Sequence, residues 1–271
     1  MSWRPPAGVL GELVAAALAD CNARRKNRPG LEREVLPRQS SGRFRRALAD
    51  QSAGFPLICE VKRASPSAGV LRAEADAAEL ARRYAEAGAR CISVLTEQRR
   101  FGGSLQDLRA ARRAVALPLL RKDFIVDSYM VSEAADAGAD CVLLIAAAVE
   151  PAKLVELADC AARLGLDVLL ELIYPRDLDV LGMREWPLVG INARDLETLE
   201  VDPSRFAALA PSVRRAGRLL VAESGIESAR DVERVKGDGA HAVLIGEALI
   251  RAKDPGSLIR SLASAGRARA S

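Results

Sequence analysis

Polar residues whose types could transfer protons or bind a ligand stand at the ends of several short apolar runs along this 271-residue chain. They are Glu60, Lys62, Glu97, Lys122, Glu171, Asn192, Glu223 and Ser224. One polar residue in such a place is equally well explained as a charge that reaches solvent from a loop. A series at equivalent places is harder to explain in that way, because buried charges are costly unless they are paired or used. Lysines and carboxyl groups gathered in one cavity perturb each other's pKa values and suit general acid–base catalysis.

Two of the apolar runs continue into turns that contain glycine, "ESG" at 223–225 and "IGE" at 245–247. Glycine lets a phosphate group approach the backbone, and a helix that follows such a turn presents free N–H groups. Ordinary tight turns are the alternative explanation, but two of them after consecutive runs favour a phosphate site. Ser65, in "SPS" after the first run, would add a hydroxyl group.

The apolar runs alternate with segments of helical periodicity from residue 55 onward. Eight of them predict strands: "PLICEVK", "CISVLTE", "PLLRKDF", "DCVLLIA", "DVLLELI", "PLVGIN", "GRLLVAE" and "HAVLIG". Short, almost wholly apolar strands are typical of a parallel sheet that is covered on both faces. Eight strand–helix units without a large insertion predict a closed (β/α)8 TIM barrel. An open doubly wound sheet is the alternative, but with a dinucleotide site it would carry G-x-G-x-x-G where this chain has "KRASPSAG".

Residues 1–50 differ from the rest, with an apolar-periodic stretch, a basic segment and a short helix candidate, "GRFRRALAD". We expect an N-terminal helical extension over 1–50 and the barrel proper over 55–265, both within a single domain of residues 1–271. In such barrels the catalytic groups lie at the carboxyl ends of the strands. The polar residues at the ends of the apolar runs would therefore meet there. Strand alternation puts Glu60 and Lys62 on the same face.

The composition argues against several other classes of protein. The chain has 40 Lys and Arg against 36 Asp and Glu, with the signs mixed along it, so no nucleic-acid partner is indicated. No apolar run approaches the ~18 residues of a membrane span, and "MSWRPPAGVL" at the start lacks the pattern of a secretory signal. Five widely spaced cysteines indicate reduced, buried thiols in a cytoplasmic protein. The only histidine, His241, leaves little for a histidine-based triad or a zinc site.

Several strings in the chain resemble the motifs of indole-3-glycerol phosphate synthase. They are "CEVKRASPSAG", "SVLTE…FGGSL", "LLRKDFIVD", "GADCVLLIAA", "VGINARDLETLEVD", "VAESGI" and "VLIGEALI", in family order over about residues 43–262. The resemblance implies a carbon–carbon lyase of tryptophan biosynthesis that closes the ring of 1-(2-carboxyphenylamino)-1-deoxyribulose 5-phosphate. The products would be indole-3-glycerol phosphate, carbon dioxide and water. The resemblance implies a phosphorylated small-molecule ligand and no metal or organic cofactor, and we expect a monomer or weak homodimer.

The resemblance also implies roles for the polar residues at the ends of the apolar runs. Lys122 matches the general acid that protonates the ketone oxygen, and Glu171 matches the second proton-transfer group. Lys62 matches the lysine that pairs with the substrate carboxylate and moves protons. The residues that orient these lysines and bind the hydroxyl groups and ring nitrogen are matched by Glu60, Asn192 and Glu223.

Further residues match the family's binding groups. The phosphate cradle is matched by Ser65, Ser224, Gly225, Gly246 and Glu247, the last through its backbone N–H. Phe101 belongs to the loop that normally forms an aromatic wall against the anthranilate ring. Arg194 lies in the same loop as Asn192 and is expected to hold that loop by an ion pair.

Some positions depart from the family's pattern. Ala68 stands where a lysine usually follows "SPS", and "EQRRF" at 97–101 replaces an acidic residue, a lysine and two aromatic residues. Arg99 and Arg100 keep charge in that loop, but a guanidinium does not readily give up its proton. A divergent paralogue that acts on a substituted anthranilate adduct in a specialised pathway is therefore an alternative. A non-catalytic barrel that binds a phosphorylated ligand is another, and the two converging lysines argue against it.

Overall fold

A closed barrel of parallel strands forms the centre of the molecule. The computed structural model describes residues 3–37, 39, 42–65, 69–70 and 75–265, and gives only the backbone of Ser65 and Val70. Within that part the eight barrel strands, β1 to β8, are Leu57–Val61, Cys91–Leu95, Leu119–Lys122, Cys141–Ile145, Asp167–Leu172, Leu188–Asn192, Leu219–Glu223 and Ala242–Ile245. Each strand pairs with its neighbours in the chain and β8 pairs with β1, which confirms the predicted (β/α)8 barrel.

The strands carry apolar runs because both of their faces are covered. Every residue of β1, β2, β4 and β6 is buried. Their inner faces fill the barrel and their outer faces pack against the surrounding helices. Most of the polar residues of the strands stand at or next to the carboxyl end, as Glu60, Lys122, Glu171, Asn192 and Glu223 do. The fold therefore gathers at one end the polar groups that are widely separated in the sequence.

Helices surround the barrel and extend it at the N-terminus. They are α1 (Gly8–Asn27), α2 (Leu31–Glu34), α3 (Arg43–Ala49), α4 (Ala77–Glu86), α5 (Leu105–Ala114), α6 (Ser128–Asp136), α7 (Pro151–Arg163), α8 (Arg205–Val213), α9 (Ala229–Gly237), α10 (Glu247–Arg251) and α11 (Pro255–Ala265). A 3-10 helix, Pro175–Gly182, follows β5 in place of an α-helix. The sequence predicts only one helix after β8, whereas the structure has both α10 and α11.

Helix α3 packs against the amino ends of the strands. Phe44 and Leu48 on this helix are fully buried. The backbone N–H of Arg45 donates to Asp167, the first residue of β5, at 3.1 Å. The barrel is thus closed at this end by apolar side chains, as its core requires.

Helix α1 lies beside the opposite end of the barrel, against loops that follow β2, β3 and β6. Its buried residues Leu10, Leu13, Ala17 and Cys21 recur at helical spacing. Its N-terminal backbone reaches the β6 loop, where the N–H of Val9 donates to the carbonyl of Glu197 at 3.4 Å. In the described part of the chain, no helix has the length and apolar character needed to cross a bilayer.

Candidate active site

A cavity of about 380 Å³ opens at the carboxyl ends of the strands. All of the predicted site residues except Ser65 and Glu97 line it: Glu60, Lys62, Phe101, Lys122, Glu171, Asn192, Arg194, Glu223, Ser224, Gly225, Gly246 and Glu247. Its volume falls within the ~300–1,000 Å³ of small-molecule sites. The side chain of Ser65 is not described and residues 66–68 lie outside the described residues, so the contribution of "SPS" stays a prediction.

One ammonium group in the cavity lies between two buried carboxyl groups. Lys122, the last residue of β3, places Nζ 3.1 Å from Oε2 of Glu171 and 3.5 Å from Oε2 of Glu223. Burial alone would lower the pKa of Lys122, but the carboxylates of Glu171, Glu223 and Glu60 outweigh it and raise the pKa above its ordinary value. Lys122 therefore keeps its proton and its positive charge throughout the neutral range of pH.

Glu223 occupies a less favourable environment than Lys122. It is 1 % exposed, and neither of its carboxyl oxygens has a hydrogen-bond partner among the described residues. Oε1 of Glu171 also lacks a partner there. Burial, and next the charge of Glu171, raise the pKa of Glu223 well above its ordinary value, and Lys122 offsets this only in part. The two carboxyl groups thus compete for one cation.

Replacement of Glu223 by glutamine is expected to stabilise the fold at neutral and alkaline pH. Because folding raises the pKa of Glu223, its ionised form opposes folding increasingly as the pH rises above the unfolded value of ~4.3. The glutamine carries no charge, and its amide can donate to Oε1 of Glu171. The free energy of unfolding should therefore rise by about 1–3 kcal/mol, the usual cost of a buried polar group without a partner.

Urea unfolding of wild type and Glu223→Gln at pH 8 and at pH 5 measures this difference. We expect the larger gain in stability at pH 8. An equal or smaller gain at pH 8 would show that the carboxylate of Glu223 is not the destabilising group.

The residues beside Lys122 fix β3 from the outside of the barrel. Arg121 is 1 % exposed and donates from Nη2 to Asp123 at 2.8 Å, while its Nη1 lies 3.4 Å from Glu133 on α6. Arg24 on α1 donates to the same Glu133 through Nε at 2.6 Å. This buried network joins α1, α6 and β3, and so restrains the backbone that carries Lys122.

A second lysine–carboxylate pair lies at the end of β1. Nζ of Lys62 is 3.5 Å from Oε1 of Glu60, and both side chains are mostly buried. Glu60 packs against the backbone of Gly246, where a Cβ would come within 2.4 Å of the same Oε1. A side chain at position 246 would therefore collide with Glu60 as well as with a ligand that approached the backbone.

Asn192, the last residue of β6, connects two of the cavity loops. Its Oδ1 accepts a hydrogen bond from Oγ of Ser224 at 2.8 Å and from the N–H of Arg194 at 2.9 Å. Both contacts use the oxygen, so the amide nitrogen can donate to a ligand. Ser224 has φ of 65° and Gly225 has φ of 68°. A non-glycine residue in that conformation costs ~1–3 kcal/mol and is typical of functional sites.

The cavity wall beside α10 combines backbone N–H groups with paired charges. Glu247 begins α10, so the N–H groups of the first turn have no acceptor within the helix. Its carboxylate lies 3.4 Å from Nη2 of Arg194, which is the ion pair expected for that arginine, and 3.0 Å from Nη2 of Arg251. The sequence did not single out Arg251, although its spacing from Glu247 on a short helix was an available signal.

Comparison with known proteins identifies the family. The family model described as indole-3-glycerol phosphate synthase matches residues 10–262. The chain belongs to the indole-3-glycerol phosphate synthase family.

Individual relatives agree with this family. The chain is similar to the indole-3-glycerol phosphate synthase of Mycolicibacterium vanbaalenii, with 44 % identity over 260 residues that cover 96 % of this chain and 95 % of that protein. The indole-3-glycerol phosphate synthase of a Nocardioides species is 47 % identical, covering 94 % and 97 %. Among solved structures, 3-hexulose-6-phosphate synthase from Salmonella typhimurium has a TM-score of 0.62 at 17 % identity, covering 77 % of this chain and 96 % of that one. That likeness shows the barrel fold alone.

An aromatic wall remains although the loop after β2 departs from the pattern of the indole-3-glycerol phosphate synthase family. The rings of Phe101 and Phe124 have centroids 6.3 Å apart and are inclined by 38°. Both side chains line the cavity together with Leu143 and Leu196. Phe124 was not among the predicted site residues. Phe124 stands two residues after the end of β3, in "LLRKDF", and this position was the sequence feature that could have identified it.

Glu97, at the start of the same loop, stabilises the conformation of that loop. The carboxylate of Glu97 accepts hydrogen bonds from the backbone N–H groups of Arg99, Arg100 and Phe101 at 2.9, 2.7 and 3.0 Å. Glu97 does not line the cavity, so the prediction that it meets the other polar strand-end residues there is wrong. The two arginines form ion pairs with α1, Arg99 with Asp20 at 2.5 Å and Arg100 with Glu12 at 2.7 Å.

Replacement of Arg99 by alanine is expected to leave turnover nearly unchanged. The side chain is 55 % exposed, is directed to Asp20 and does not line the cavity. An exposed ion pair contributes ~0–1 kcal/mol, so the loss of stability should also be small. Steady-state kinetics test this, with Arg83→Ala as a control at another exposed ion pair. A fall of ~10-fold or more in kcat/KM in Arg99→Ala alone, equivalent to ~1.4 kcal/mol, would show that Arg99 reaches the substrate.

Proposed function

We propose that the chain converts 1-(2-carboxyphenylamino)-1-deoxyribulose 5-phosphate into indole-3-glycerol phosphate, carbon dioxide and water. Membership of the family and the composition of the cavity support this reaction. The observation that carries the proposal is the position of Lys122 between Glu171 and Glu223, in a cavity that also contains Lys62 and the glycine turns. Such a set supplies proton transfer and anion binding in one place.

Lys122 acts first, as the general acid of ring closure. The ring carbon that bears the carboxylate attacks the ketone carbon, and the carbonyl electron pair moves to the oxygen, which takes a proton from Lys122. Because Glu171 and Glu223 keep Lys122 charged, the proton is present at neutral pH. Transfer by a positioned side chain typically contributes ~10²–10⁴-fold to the rate.

Loss of carbon dioxide and water completes the reaction. The bond between ring and carboxylate breaks, and its electron pair restores the aromatic ring. The hydroxyl group then leaves with a proton as water, and a proton is removed from the new five-membered ring. Glu171 exchanges the proton removed from the five-membered ring with Lys122, whose Nζ is 3.1 Å from its Oε2. Lys62 pairs with the substrate carboxylate until it leaves, and Glu60 orients Lys62.

The two ends of the substrate fit opposite walls of the cavity. We assign the phosphate to the turns at Ser224–Gly225 and Gly246–Glu247, where backbone N–H groups meet and where Arg194 and Arg251 add positive charge. The anthranilate ring then lies against Phe101 and Phe124. Asn192 is placed between them and donates to the substrate hydroxyl groups.

One assay tests the reaction and its alternatives. Indole absorbance is followed after the purified protein is mixed with the unsubstituted substrate, and then with ring-substituted analogues. Turnover of the unsubstituted substrate supports the proposal. Turnover of an analogue alone would indicate the divergent paralogue, which the orientation of Arg99 and Arg100 away from the cavity favours as second candidate. Binding of substrate without any turnover would indicate a non-catalytic barrel.

The cellular location and the oligomeric state of the enzyme are part of the same proposal. A phosphorylated intermediate of amino-acid synthesis is expected in the cytoplasm. The monomeric or weakly dimeric state also stays a prediction, which sedimentation at several protein concentrations would test.

A further inference from the structure

A pocket lined by cations lies at the end of the barrel opposite the candidate active site. It has a volume of about 730 Å³ and is formed by α3 and by the turns that precede β7 and β8. Its basic side chains are Arg45, Arg46, Arg214, Arg215, Arg218 and His241, and we call it the basic pocket. None of these residues belongs to the catalytic or phosphate-binding set.

Arg218 is the most buried cation of the basic pocket. It is only 7 % exposed, and its Nε and Nη1 donate to the carbonyl groups of Trp186 at 2.9 Å and Val213 at 2.7 Å. Both of these acceptors are neutral carbonyl oxygens, so neither supplies a negative charge to the guanidinium. Burial, and then the charge of Arg215, lower the pKa of Arg218. A buried cation without an anion is costly, so an anion in the pocket would stabilise it.

Two exposed cations of the basic pocket, Arg45 and Arg214, lie at its rim. Arg214 donates from Nη2 to the carbonyl of Asp238 at 2.9 Å. The carboxylates at the rim are otherwise engaged. Glu185 pairs with Arg215 at 3.1 Å, and Asp167 accepts the backbone N–H of Arg45 at 3.1 Å. Among the described residues the lining of the basic pocket itself contains no Asp or Glu, so its charged side chains are all basic.

His241 adds a neutral donor to this wall. Its Nδ1 accepts a hydrogen bond from the backbone N–H of Leu220 at 3.1 Å, which places the ring proton on Nε2. Burial, and then Arg214, lower the pKa of His241. It is also the only histidine in the chain, so its ring protons report on this pocket alone.

We propose that the basic pocket binds a small anion that carries two or more phosphate groups. Guanidinium groups bind phosphate oxygens in pairs, and several of them around one concavity favour a compact, highly charged ligand. A single-stranded nucleic acid would instead be held by stacking of its bases on aromatic side chains. Among the described residues the basic pocket has no Phe, Tyr or Trp in its lining.

The ring protons of His241 in tag-free protein give the direct test. Inorganic pyrophosphate is titrated at constant ionic strength, and the histidine resonances are followed by NMR. We expect a saturable shift. Occupation of the phosphate turns at the other end of the barrel would leave His241 unmoved, so failure of the proposed function would not affect this result. No shift, or the same shift with sodium chloride alone, would overturn the proposal.

Matched variants assign the shift to the arginines. Arg45 and Arg214 are exposed, so Arg45→Gln/Arg214→Gln should fold and keep its turnover. Its affinity for pyrophosphate should fall by ~10-fold or more, since each charged hydrogen-bond donor contributes substantially. The control Arg82→Gln/Arg113→Gln removes the same charge from exposed positions outside the pocket and should bind as wild type does. Equal affinity in both double variants would contradict the assignment.

Discussion

Lys122→Met should lower the rate of ring closure by ~10²-fold or more, the usual scale for the loss of a positioned proton donor. Methionine has a similar length and cannot protonate the ketone oxygen. The phosphate turns and the aromatic wall are unchanged by the substitution, so we expect the loss mainly in kcat rather than in KM. Steady-state rates of indole formation, with substrate binding measured separately, check this result.

The same substitution also removes the one cation that forms ion pairs with Glu171 and Glu223 in the described part of the chain. Removal of one partner from a buried ion pair costs about 3–5 kcal/mol, because the other charge stays buried. Since the folded state raises the pKa of Lys122, its contribution to stability is present at neutral pH and would be lost only as the pH rose through that raised pKa. Lys122→Met should therefore be least stable, relative to wild type, at neutral and alkaline pH.

A charge-balanced variant separates the loss of stability from the loss of catalysis. Lys122→Met/Glu223→Gln removes one positive and one negative charge from the same cluster. It should recover much of the stability lost in Lys122→Met and remain inactive. Recovery of turnover together with stability would show that Lys122 has only a structural role.

Lys122→Arg provides the complementary control. It keeps the positive charge between Glu171 and Glu223, but a planar guanidinium cannot present its protons in the way that the compact ammonium group of lysine does. The variant should remain folded and bind substrate, yet close the ring slowly. Turnover near that of wild type in Lys122→Arg would mean that charge, and not proton transfer, is what this position supplies.

Much of the barrel and most of the cavity could be predicted from the sequence, for a specific reason. Parallel strands that are covered on both faces must be apolar until they end, so a polar residue at a strand end is conspicuous. Lys122, Glu171 and Glu223 all stand at such ends, and barrel closure then determines that they meet. The glycine turns that line the cavity were recognisable because glycine and a following helix are local features.

Contacts between distant parts of the chain could not be predicted in this way. The charge of Arg99 is visible in the sequence, but its partner Asp20 lies 79 residues away on α1. Glu97 looks like the other strand-end carboxylates, and only its three hydrogen bonds to the backbone show that it serves the loop. Polarity identifies a candidate group, whereas its partners depend on side-chain packing that periodicity does not reveal.

Gly190 is a further residue whose importance cannot be predicted from the sequence. Nothing in "PLVGIN" indicates that the absence of a side chain at this position matters. Gly190 lies in β6 in register with Glu171 of β5. A Cβ at this position would come within 2.0 Å of Oε1 of Glu223 and within 3.4 Å of Cδ1 of Leu169. The absence of a side chain on β6 is what leaves room for the carboxyl group of Glu223 between its neighbours.

Gly190→Ala should therefore reduce kcat by ~10²-fold, the scale expected when a catalytic group is displaced by about 1 Å. The added methyl group forces Glu223 to another position, away from Lys122 and Glu171. Overpacking of a full core should also cost about 1–3 kcal/mol of stability. Urea unfolding and kinetics on the same preparation measure both effects.

Gly237→Ala is the matched control, since a Cβ there meets nothing within 4 Å and the residue ends an exposed part of α9. This variant should keep its activity and gain slightly in stability, because alanine favours helix. If Gly190→Ala retained wild-type kcat, Glu223 would have been free to move without consequence. Its distance from Lys122 would then be irrelevant to catalysis, and the cluster of one ammonium and two carboxyl groups would contribute to folding alone.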